Sequence, residues 1–232
     1  MSELIYRILS HAELGRLGEI DRSETIHVIY RQQGEQLAEE AHTFNVPPWA
    51  TEDDGEYSVG YHVAFCERHL AAGGTALGAF DGERLVGIGV VTPHVRPGIA
   101  QLALLHVSDG YRGQGVGHRL CALMDNIARA AGDTAMVVSA TPSVNTVQFY
   151  MGRGFAPTAE PLPELYVLEP EDIHLVIQDY HSGVSCSLTY RITGEMDDPI
   201  HRATVVGDCS ANGSWPRGFG IQQPLSIEGA RP

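Results

Sequence analysis

The sequence contains no lysine, so each of its 15 basic residues is an arginine. This absence excludes a lysine Schiff base, a pyridoxal-phosphate anchor and the lysine of a P-loop or a protein kinase. Any phosphate that the chain binds must be held by arginine side chains and backbone N–H groups. Acidic residues number 29 and the formal charge is −14. We therefore expect no nucleic-acid partner, because general binding to phosphate backbones is mostly electrostatic.

Cysteines and long apolar runs are also scarce. The four cysteines form no C-x-x-C pair and show no zinc-ligand spacing, so we expect reduced thiols, no metal site and a cytoplasmic location. No apolar run approaches the roughly eighteen residues of a membrane span, and the first residues lack the pattern of a secretory signal. We therefore expect no membrane partner. A chain of 232 residues with 43% hydrophobic content fits one large domain, or one domain with an appendage.

Local patterns predict an α/β (α+β) fold. The Asp81–Gly82 pair joins two apolar runs and predicts a tight β-hairpin. The other predicted strands are residues 4–9, 99–107, 135–140 and 161–168, and the predicted helices are residues 11–20, 23–40, 57–72, 115–131 and 145–151. After about Asp172 the chain becomes rich in Gly, Pro and Ser. We therefore predict a domain over residues 1–172 and a C-terminal appendage of unknown role over residues 173–232.

The turn between the buried strand 99–107 and the long helix is the most informative segment. Its sequence, RGQGVG, has glycine at alternate positions, which lets backbone N–H groups surround an anion at a helix N-terminus. It lacks the G-x-G-x-x-G spacing of dinucleotide-binding turns and the lysine of a P-loop. The turn predicts a pyrophosphate site, and the alternative is a tight turn that binds nothing. The expected binding residues are Arg112, Gly113, Gln114, Gly115, Val116 and Gly117.

Two motifs in the same order resemble the GCN5-related N-acetyltransferase (GNAT) family. The phosphate loop of that family is Arg/Gln-x-x-Gly-x-Gly/Ala, which Arg112, Gly115 and Gly117 match. Residues 149–155 match its aromatic pair followed by Gly-Phe. The resemblance covers about residues 4–170. It implies a mixed, mostly antiparallel twisted sheet flanked by helices and opened in a V, where acetyl-CoA binds as co-substrate.

The resemblance also implies roles for single residues. The main chain of Leu105, His106 and Val107 would pair with the pantetheine arm of acetyl-CoA, and the Val107 N–H would face the acetyl carbonyl. Tyr150 would protonate the departing CoA thiolate, and its alternative is a core tyrosine. Asn145 would contact the pantetheine arm. The family asparagine commonly lies two residues earlier, at Ser143 here, so a helix-cap or surface role is the alternative.

The sequence specifies the residues around the amine acceptor less completely than those around acetyl-CoA. Strict alternation places Gln101, Ala103 and Leu105 on one strand face and His106 on the other, so no titratable group faces the acceptor unless a bulge reorients His106. A satisfied core histidine is the alternative for His106. The residues expected to cover the acceptor are Glu24, Tyr30, Trp49, Glu52, Asp53 and Asp54. The acids among them would suit a cationic amine, and a solvated loop is their alternative.

The sequence therefore predicts an N-acetyltransferase that moves acetyl from acetyl-CoA to a small-molecule or peptide amine. Cys121 has no base placed to activate it, so direct attack in a ternary complex is preferred over an acyl-cysteine route. Two alternatives are an acyl-CoA-binding regulatory module without chemistry and an ordinary α/β domain whose glycine turn is empty. The general base and the acceptor are not identified, and a homodimer is an open option.

Overall fold

The computed structural model describes residues 4–50, 55–178, 189–192 and 203–206. Its strands are β1 (Ile5–Ile8), β2 (Glu24–Gln33), β3 (Gln36–Val46), β4 (Thr75–Asp81), β5 (Arg84–Arg96), β6 (Ile99–Val107), β7 (Ala135–Ala140), β8 (Ala156–Pro157), β9 (Ile173–Gln178), β10 (Thr189–Ile192) and β11 (Ala203–Val206). Its α-helices are α1 (Val59–Ala71), α2 (Val116–Ala131), α3 (Val144–Met151) and α4 (Pro163–Leu168). Two 3₁₀ helices span His11–Glu19 and Asp109–Tyr111.

Nine of these strands form one sheet in the order β10-β11-β1-β4-β5-β6-β7-β9-β8. Only the β6–β7 pair is parallel among the described residues, which confirms the expected mixed, mostly antiparallel sheet. The predicted hairpin is β4–β5, in which Asp81 pairs with Arg84 across the turn. None of the helices in the described residues combines the length and apolar composition needed to cross a membrane.

Helices cover both faces of the sheet. The amphipathic helix α2 buries Val116, Leu120 and Met124 against one face, in a core cluster that includes residues of β6, β7 and β9. The 3₁₀ helix His11–Glu19 and α1 cover the other face, in a cluster that includes Leu17 and Cys66. These two clusters are called the α2-side core and the α1-side core below. The sheet is therefore buried on both faces, as the apolar run of β6 predicts.

β6 and β7 pair only at one end. Ile99–Gln101 pair with Ala135–Val137, and the rest of β6 pairs with β5 alone. A β-bulge lies in β6, because Val90 of β5 pairs with Leu104 while Val91 pairs with Leu102. The sheet is thus open in a V along one edge of β6, as the resemblance implies.

The bulge corrects the predicted faces of β6. Leu102 and Leu105 both pack in the α2-side core, whereas Leu104 packs in the α1-side core. The strict alternation that put Leu105 on one face with Gln101 is therefore wrong, because Ala103 is an additional residue that shifts the pattern.

Two predicted elements are also wrong. The helix predicted over residues 23–40 is the hairpin β2–β3, which forms a separate two-stranded sheet. The strand predicted over residues 161–168 is α4, whose first turn contains Pro163 and Glu164. Proline at the first helical position and an acid in the first turn both favour a helix start.

The segment that leads into β2, together with β2 itself, crosses the open end of the V. The Asp109 N–H donates to the Asp21 carbonyl near the end of β6 (2.9 Å). The Tyr30 N–H donates to the Pro142 carbonyl after β7 (2.7 Å). The Gln32 side-chain carbonyl then accepts from the His174 N–H of β9 (2.9 Å). Residues 21–32 therefore link β6 to the paired strands β7 and β9 across the open end of the V.

The sheet continues beyond the predicted domain boundary. Ile173–Gln178 form β9, which lies between β7 and β8. The short strands β10 and β11 extend the opposite edge next to β1. The division into residues 1–172 and 173–232 stays a prediction.

Candidate active site

The glycine-rich turn connects the end of β6 to the start of α2. Gly113 and Gly115 have φ values of +71° and +83°, a region that residues with a Cβ rarely adopt. A Cβ built at either glycine would meet no atom within 4 Å. The turn therefore leaves open space in front of its backbone, which suits close approach of a ligand.

Backbone donors at the start of α2 face this space. The Arg119 N–H bonds to the Gly115 carbonyl (3.0 Å), which leaves the N–H groups of Val116, Gly117 and His118 without an intrahelical acceptor. Such donors, together with the helix dipole, stabilise an anion. The Gln114 side chain bonds to the Gly110 carbonyl (2.7 Å), so it is engaged within the turn.

A cavity of about 430 Å³ opens at this turn, and we call it the helix-start cavity. It lies between the turn, the end of β6 and α3. Its lining residues are Glu24, Leu105, Val107, Tyr111, Arg112, Gly113, Gly115, Val116, Gly117, His118, Asn145, Thr146, Phe149 and Tyr150. All predicted site residues except His106 and Gln114 belong to this lining. The donors and the open backbone fit a nucleotide diphosphate, and their binding role stays a prediction.

The edge of β6 beside the cavity fits the predicted pantetheine contacts. Leu105, His106 and Val107 pair with Gly89, Ile88 and Gly87 of β5, while their other edge faces the open V. The Val107 carbonyl accepts from Arg112 Nε (3.1 Å). An extended ligand segment could therefore pair with the free edge as an added strand.

Arg112 fixes the segment before β2 against the turn. Its guanidinium donates to the Ser23 carbonyl (3.1 Å) and lies 3.9 Å from the Glu24 carboxylate. Asn145 Nδ2 donates to Glu24 (3.5 Å), so Glu24 lies between both predicted ligand-binding residues. Ser143 accepts from the Thr146 N–H as the N-cap of α3. Of the two positions weighed for the pantetheine contact, Asn145 lines the cavity and Ser143 caps the helix.

Tyr150 is buried and borders the helix-start cavity. Its ring centroid lies 5.2 Å from that of Phe149 and 5.6 Å from that of Phe155. Burial raises the pKa of the Tyr150 phenol well above its usual value, and Cys121 and Asp172 contribute to the rise. The phenol therefore keeps its proton at neutral pH and can donate it. Phe149 both lines the cavity and packs against the α2-side core.

His106 lies away from the helix-start cavity, in a cluster of rings. Its ring centroid is 5.2 Å from that of Trp49 and 6.1 Å from that of His62. The Arg22 guanidinium stacks 4.5 Å above the Trp49 ring. Loss of solvent, with a contribution from the nearby Arg22, lowers the pKa of His106 to about 3. His106 is therefore neutral; it is half-buried, and the bulge reorients it to the side of the sheet where Trp49 packs.

Sequence reasoning did not identify Arg22 and His62, because no motif indicates which rings will stack across two segments.

Only some of the residues expected to cover the acceptor lie within the described residues. Glu52, Asp53 and Asp54 lie outside the described residues. Glu24 borders the helix-start cavity, whereas Tyr30 borders a different one.

A second cavity, also of about 430 Å³, separates the hairpin β2–β3 from the segment 158–174. We call it the hairpin cavity. Tyr30 and Gln32 border it on one side, and Tyr166, Asp172 and His174 border it on the other. Desolvation raises the pKa of the Asp172 carboxyl to about 7, Glu169 raises it as well, and the Ser139 hydroxyl opposes the rise. No sequence motif indicated Asp172.

The buried thiols are not activated. Desolvation raises the pKa of Cys66 and that of Cys121 to about 12. Both side chains are fully buried in the cores. Neither has the thiolate character that a nucleophilic cysteine requires.

Comparison with known proteins shows what the chain is similar to. The model of the acetyltransferase (GNAT) family matches residues 34–155. No curated protein matches the chain.

Among the solved structures that match the chain, three illustrate the shared fold. One is nourseothricin acetyltransferase, with 18% identity over 76% of this chain and 98% of that chain and a TM-score of 0.56. Another, assigned as a streptothricin acetyltransferase from Bacillus anthracis, was solved with acetyl coenzyme A. It has 17% identity over 75% of this chain and 96% of that chain, and its TM-score is 0.56. The third is the PaiA N-acetyltransferase from Thermoplasma acidophilum in complex with coenzyme A. It has 17% identity over 76% of this chain and 99% of that chain, and its TM-score is 0.51. At these identities the likeness establishes the fold.

Proposed function

The chain belongs to the GNAT acetyltransferase family, and from this premise we propose that it transfers acetyl from acetyl-CoA to a primary amine. The acceptor is a small molecule or a peptide amine, attacked directly in a ternary complex. The observation that supports this most strongly is the helix-start cavity, where free amides of α2, the open edge of β6 and the Tyr150 phenol meet.

The amides of residues 113–118 hold the diphosphate of the co-substrate, because glycine leaves their N–H groups accessible. The free edge of β6 at Leu105–Val107 orients the pantetheine arm by main-chain pairing. Asn145 contacts that arm from α3. Acetyl-CoA supplies an acetyl group activated as a thioester. The Val107 N–H stabilises negative charge that develops on the acetyl oxygen.

Tyr150 completes the transfer as a general acid. Its raised pKa keeps the phenol protonated, and a CoA thiolate with an ordinary thiol pKa near 8.5 benefits from a proton donor. The buried thiols of Cys66 and Cys121 support direct attack over an acyl-cysteine route, because both pKa values are about 12.

The alternative of a non-catalytic acyl-CoA-binding module is disfavoured by Tyr150. A binding module has no need of a protonated phenol at the cavity, whereas an acetyltransferase uses one.

An assay of CoA release from acetyl-CoA with a panel of primary amines tests the proposal. We expect release that depends on the amine, with an N-acetylated product detected by mass spectrometry. Stabilisation of the fold by CoA without release by any amine would favour the binding module instead, since a ligand at a hundred times its Kd adds about 2.7 kcal/mol to stability.

A further inference from the structure

We propose that the hairpin cavity admits the acceptor as an alkylammonium ion and that Asp172 removes its proton before attack. This inference rests on the proposed acetyltransferase function and adds the general base that the sequence did not identify. It is carried by the cavity, by the side of the sheet that Asp172 faces, and by the strand pairing that places Asp172 beside the end of β7.

Asp172 lies on the face of the sheet opposite α2. Ile173 and Leu175 of β9 pack in the α2-side core, so the alternating residues Asp172 and His174 project to the other face. Ser139 of β7 has the same orientation, because Val138 and Ala140 pack in the α2-side core. An acceptor in the hairpin cavity would therefore approach the V from the face opposite the one that α2 covers.

Both cavities border the region around the end of β7 and α3, and they share no lining residue. Ile173, which follows Asp172, pairs with Ala140 at the end of β7, and Tyr150 lies on α3. The Tyr30 hydroxyl, on the hairpin, accepts from Gln148 Nε2 of α3 (3.2 Å). A base on one side and an acid on the other thus flank the place where an amine and a thioester would react.

The electrostatic surroundings suit a carboxylate that accepts a proton near neutral pH. Desolvation, and then Glu169, raises the pKa of Asp172 to about 7. Arg31, which borders the cavity, is paired with Glu40 (2.9 Å) and Glu171 (3.0 Å). Desolvation lowers the pKa of His174, so that ring is neutral. The titratable and charged groups that line the cavity with Asp172 are Tyr30, Arg31, Tyr166, Glu171 and His174. Tyr150 and Glu169 interact with Asp172 electrostatically.

The proton balance of the reaction is complete with these two residues. Asp172 takes one proton from the R–NH₃⁺ acceptor and passes it to solvent, and the free amine forms the C–N bond as the C–S bond breaks. Tyr150 gives its proton to the CoA sulfur. The second proton released from nitrogen, as the amide forms, restores the Tyr150 phenol. One proton is released in total for each amide and each CoA thiol.

The test compares Asp172→Asn with Glu160→Gln, the loss of an exposed carboxylate that lines neither cavity. Each variant is assayed with an alkylamine, which is protonated at pH 7, and with an alkoxyamine, which is not. We expect Asp172→Asn to lower kcat/KM about a hundredfold for the alkylamine and less than about threefold for the alkoxyamine. We expect Glu160→Gln to change neither by more than about threefold.

Equal losses with both amines, or no loss with either, would overturn the role of Asp172 while leaving the acetyltransferase assignment intact. A wild-type protein that acetylates no amine would overturn both proposals. The wild-type profile provides a check without any variant: kcat with saturating alkylamine should rise as the pH passes about 7 and then level off, because the base must be ionised. A flat profile through that region contradicts the proposal.

A readout independent of activity comes from folding. The pKa of Asp172 is raised from 3.8 to about 7 in the folded protein, so the folded state holds this proton more tightly than the unfolded state. The wild type should therefore lose stability relative to Asp172→Asn as the pH rises between these values, and the difference in Tm should be constant above them. A Tm difference that does not change with pH would show that Asp172 is an ordinary exposed acid.

Discussion

The helix-start cavity and the hairpin cavity have the same volume, about 430 Å³, but they are built differently. Most of the helix-start cavity comes from one continuous stretch, residues 105–118, with α3 as its second wall. The hairpin cavity needs the turn of β2–β3, the residues after β8 and the residues before β9. Its lining includes one glycine, Gly34, whereas the lining of the first cavity includes Gly113, Gly115 and Gly117.

This difference corresponds to the two halves of the proposed reaction, which are the binding of the co-substrate and the binding of the acceptor. In the proposed reaction, main-chain groups would hold the part of the co-substrate that does not react, and a glycine pattern is enough to create such a site. The acceptor side depends on side chains brought together from distant segments. Variants that affect one cavity and spare the other measure how independent the two halves are.

The largest effect is expected at Gly115. A valine there is strained at φ +83° and projects its branched Cβ into the helix-start cavity. We expect the Kd for CoA, measured by titration calorimetry, to rise about a hundredfold, equivalent to about 2.7 kcal/mol. Gly110→Val is the control, because Gly110 lacks a positive φ and a Cβ there also meets no atom within 4 Å. Equal Kd values for both variants would remove the loop from the binding site.

The next effect concerns Tyr150. Tyr150→Phe removes only the phenol oxygen, so we expect turnover to fall by at least about tenfold with little change in the Kd for CoA. Tyr111→Phe is matched to it, since Tyr111 borders the same cavity but its hydroxyl is bonded to Asp81 (2.8 Å). Normal turnover in Tyr150→Phe would mean that water protonates the thiolate.

A smaller and more selective effect is expected at Gln32. Its side chain donates to the Thr158 carbonyl (2.9 Å) and accepts from the His174 N–H (2.9 Å), which fixes the hairpin across its cavity. Gln32→Ala should cost about 1–2 kcal/mol of stability and raise KM for the amine several-fold, with the Kd for CoA unchanged. The adjacent exposed Gln33→Ala serves as the reference. A parallel rise in the Kd for CoA would show that the two cavities are not independent.

The smallest effect is expected at Cys121. Because its thiol is buried and its pKa is about 12, Cys121→Ser should change kcat by less than about twofold. Intact-protein mass spectrometry after incubation with acetyl-CoA alone should show no acetylated enzyme. Covalent acetylation that disappears in the variant would restore the ping-pong route.

Sequence patterns were sufficient where local chemistry decides the structure. The Asp81–Gly82 turn, the apolar run of β6 and the amphipathic pattern of α2 are all present as expected. The hairpin β2–β3 was missed because Ile26, Ile29 and Leu37 also fit helical spacing. In the structure the strand conformation is fixed by long-range pairing, such as the bond of Tyr30 to Pro142.

The same distinction between local motifs and long-range contacts explains which residues of the candidate site could be predicted. Tyr150 and the glycine turn belong to motifs and lie together at one cavity, as expected. The faces of β6 were wrong from Leu104 onward because one bulge residue, Ala103, reverses the alternation and leaves no signature in an apolar run. Asp172 was missed because its surroundings depend on β7, α3 and the hairpin, which only the tertiary fold brings together.

The most direct test of the central claim is an experimental structure of the protein with coenzyme A. The account predicts the diphosphate within hydrogen-bond distance of the amides of residues 113–118, the pantetheine arm along the free edge of β6, and the sulfur beside the Tyr150 hydroxyl. Coenzyme A bound elsewhere, with the turn before α2 closed by its own side chains, would contradict it.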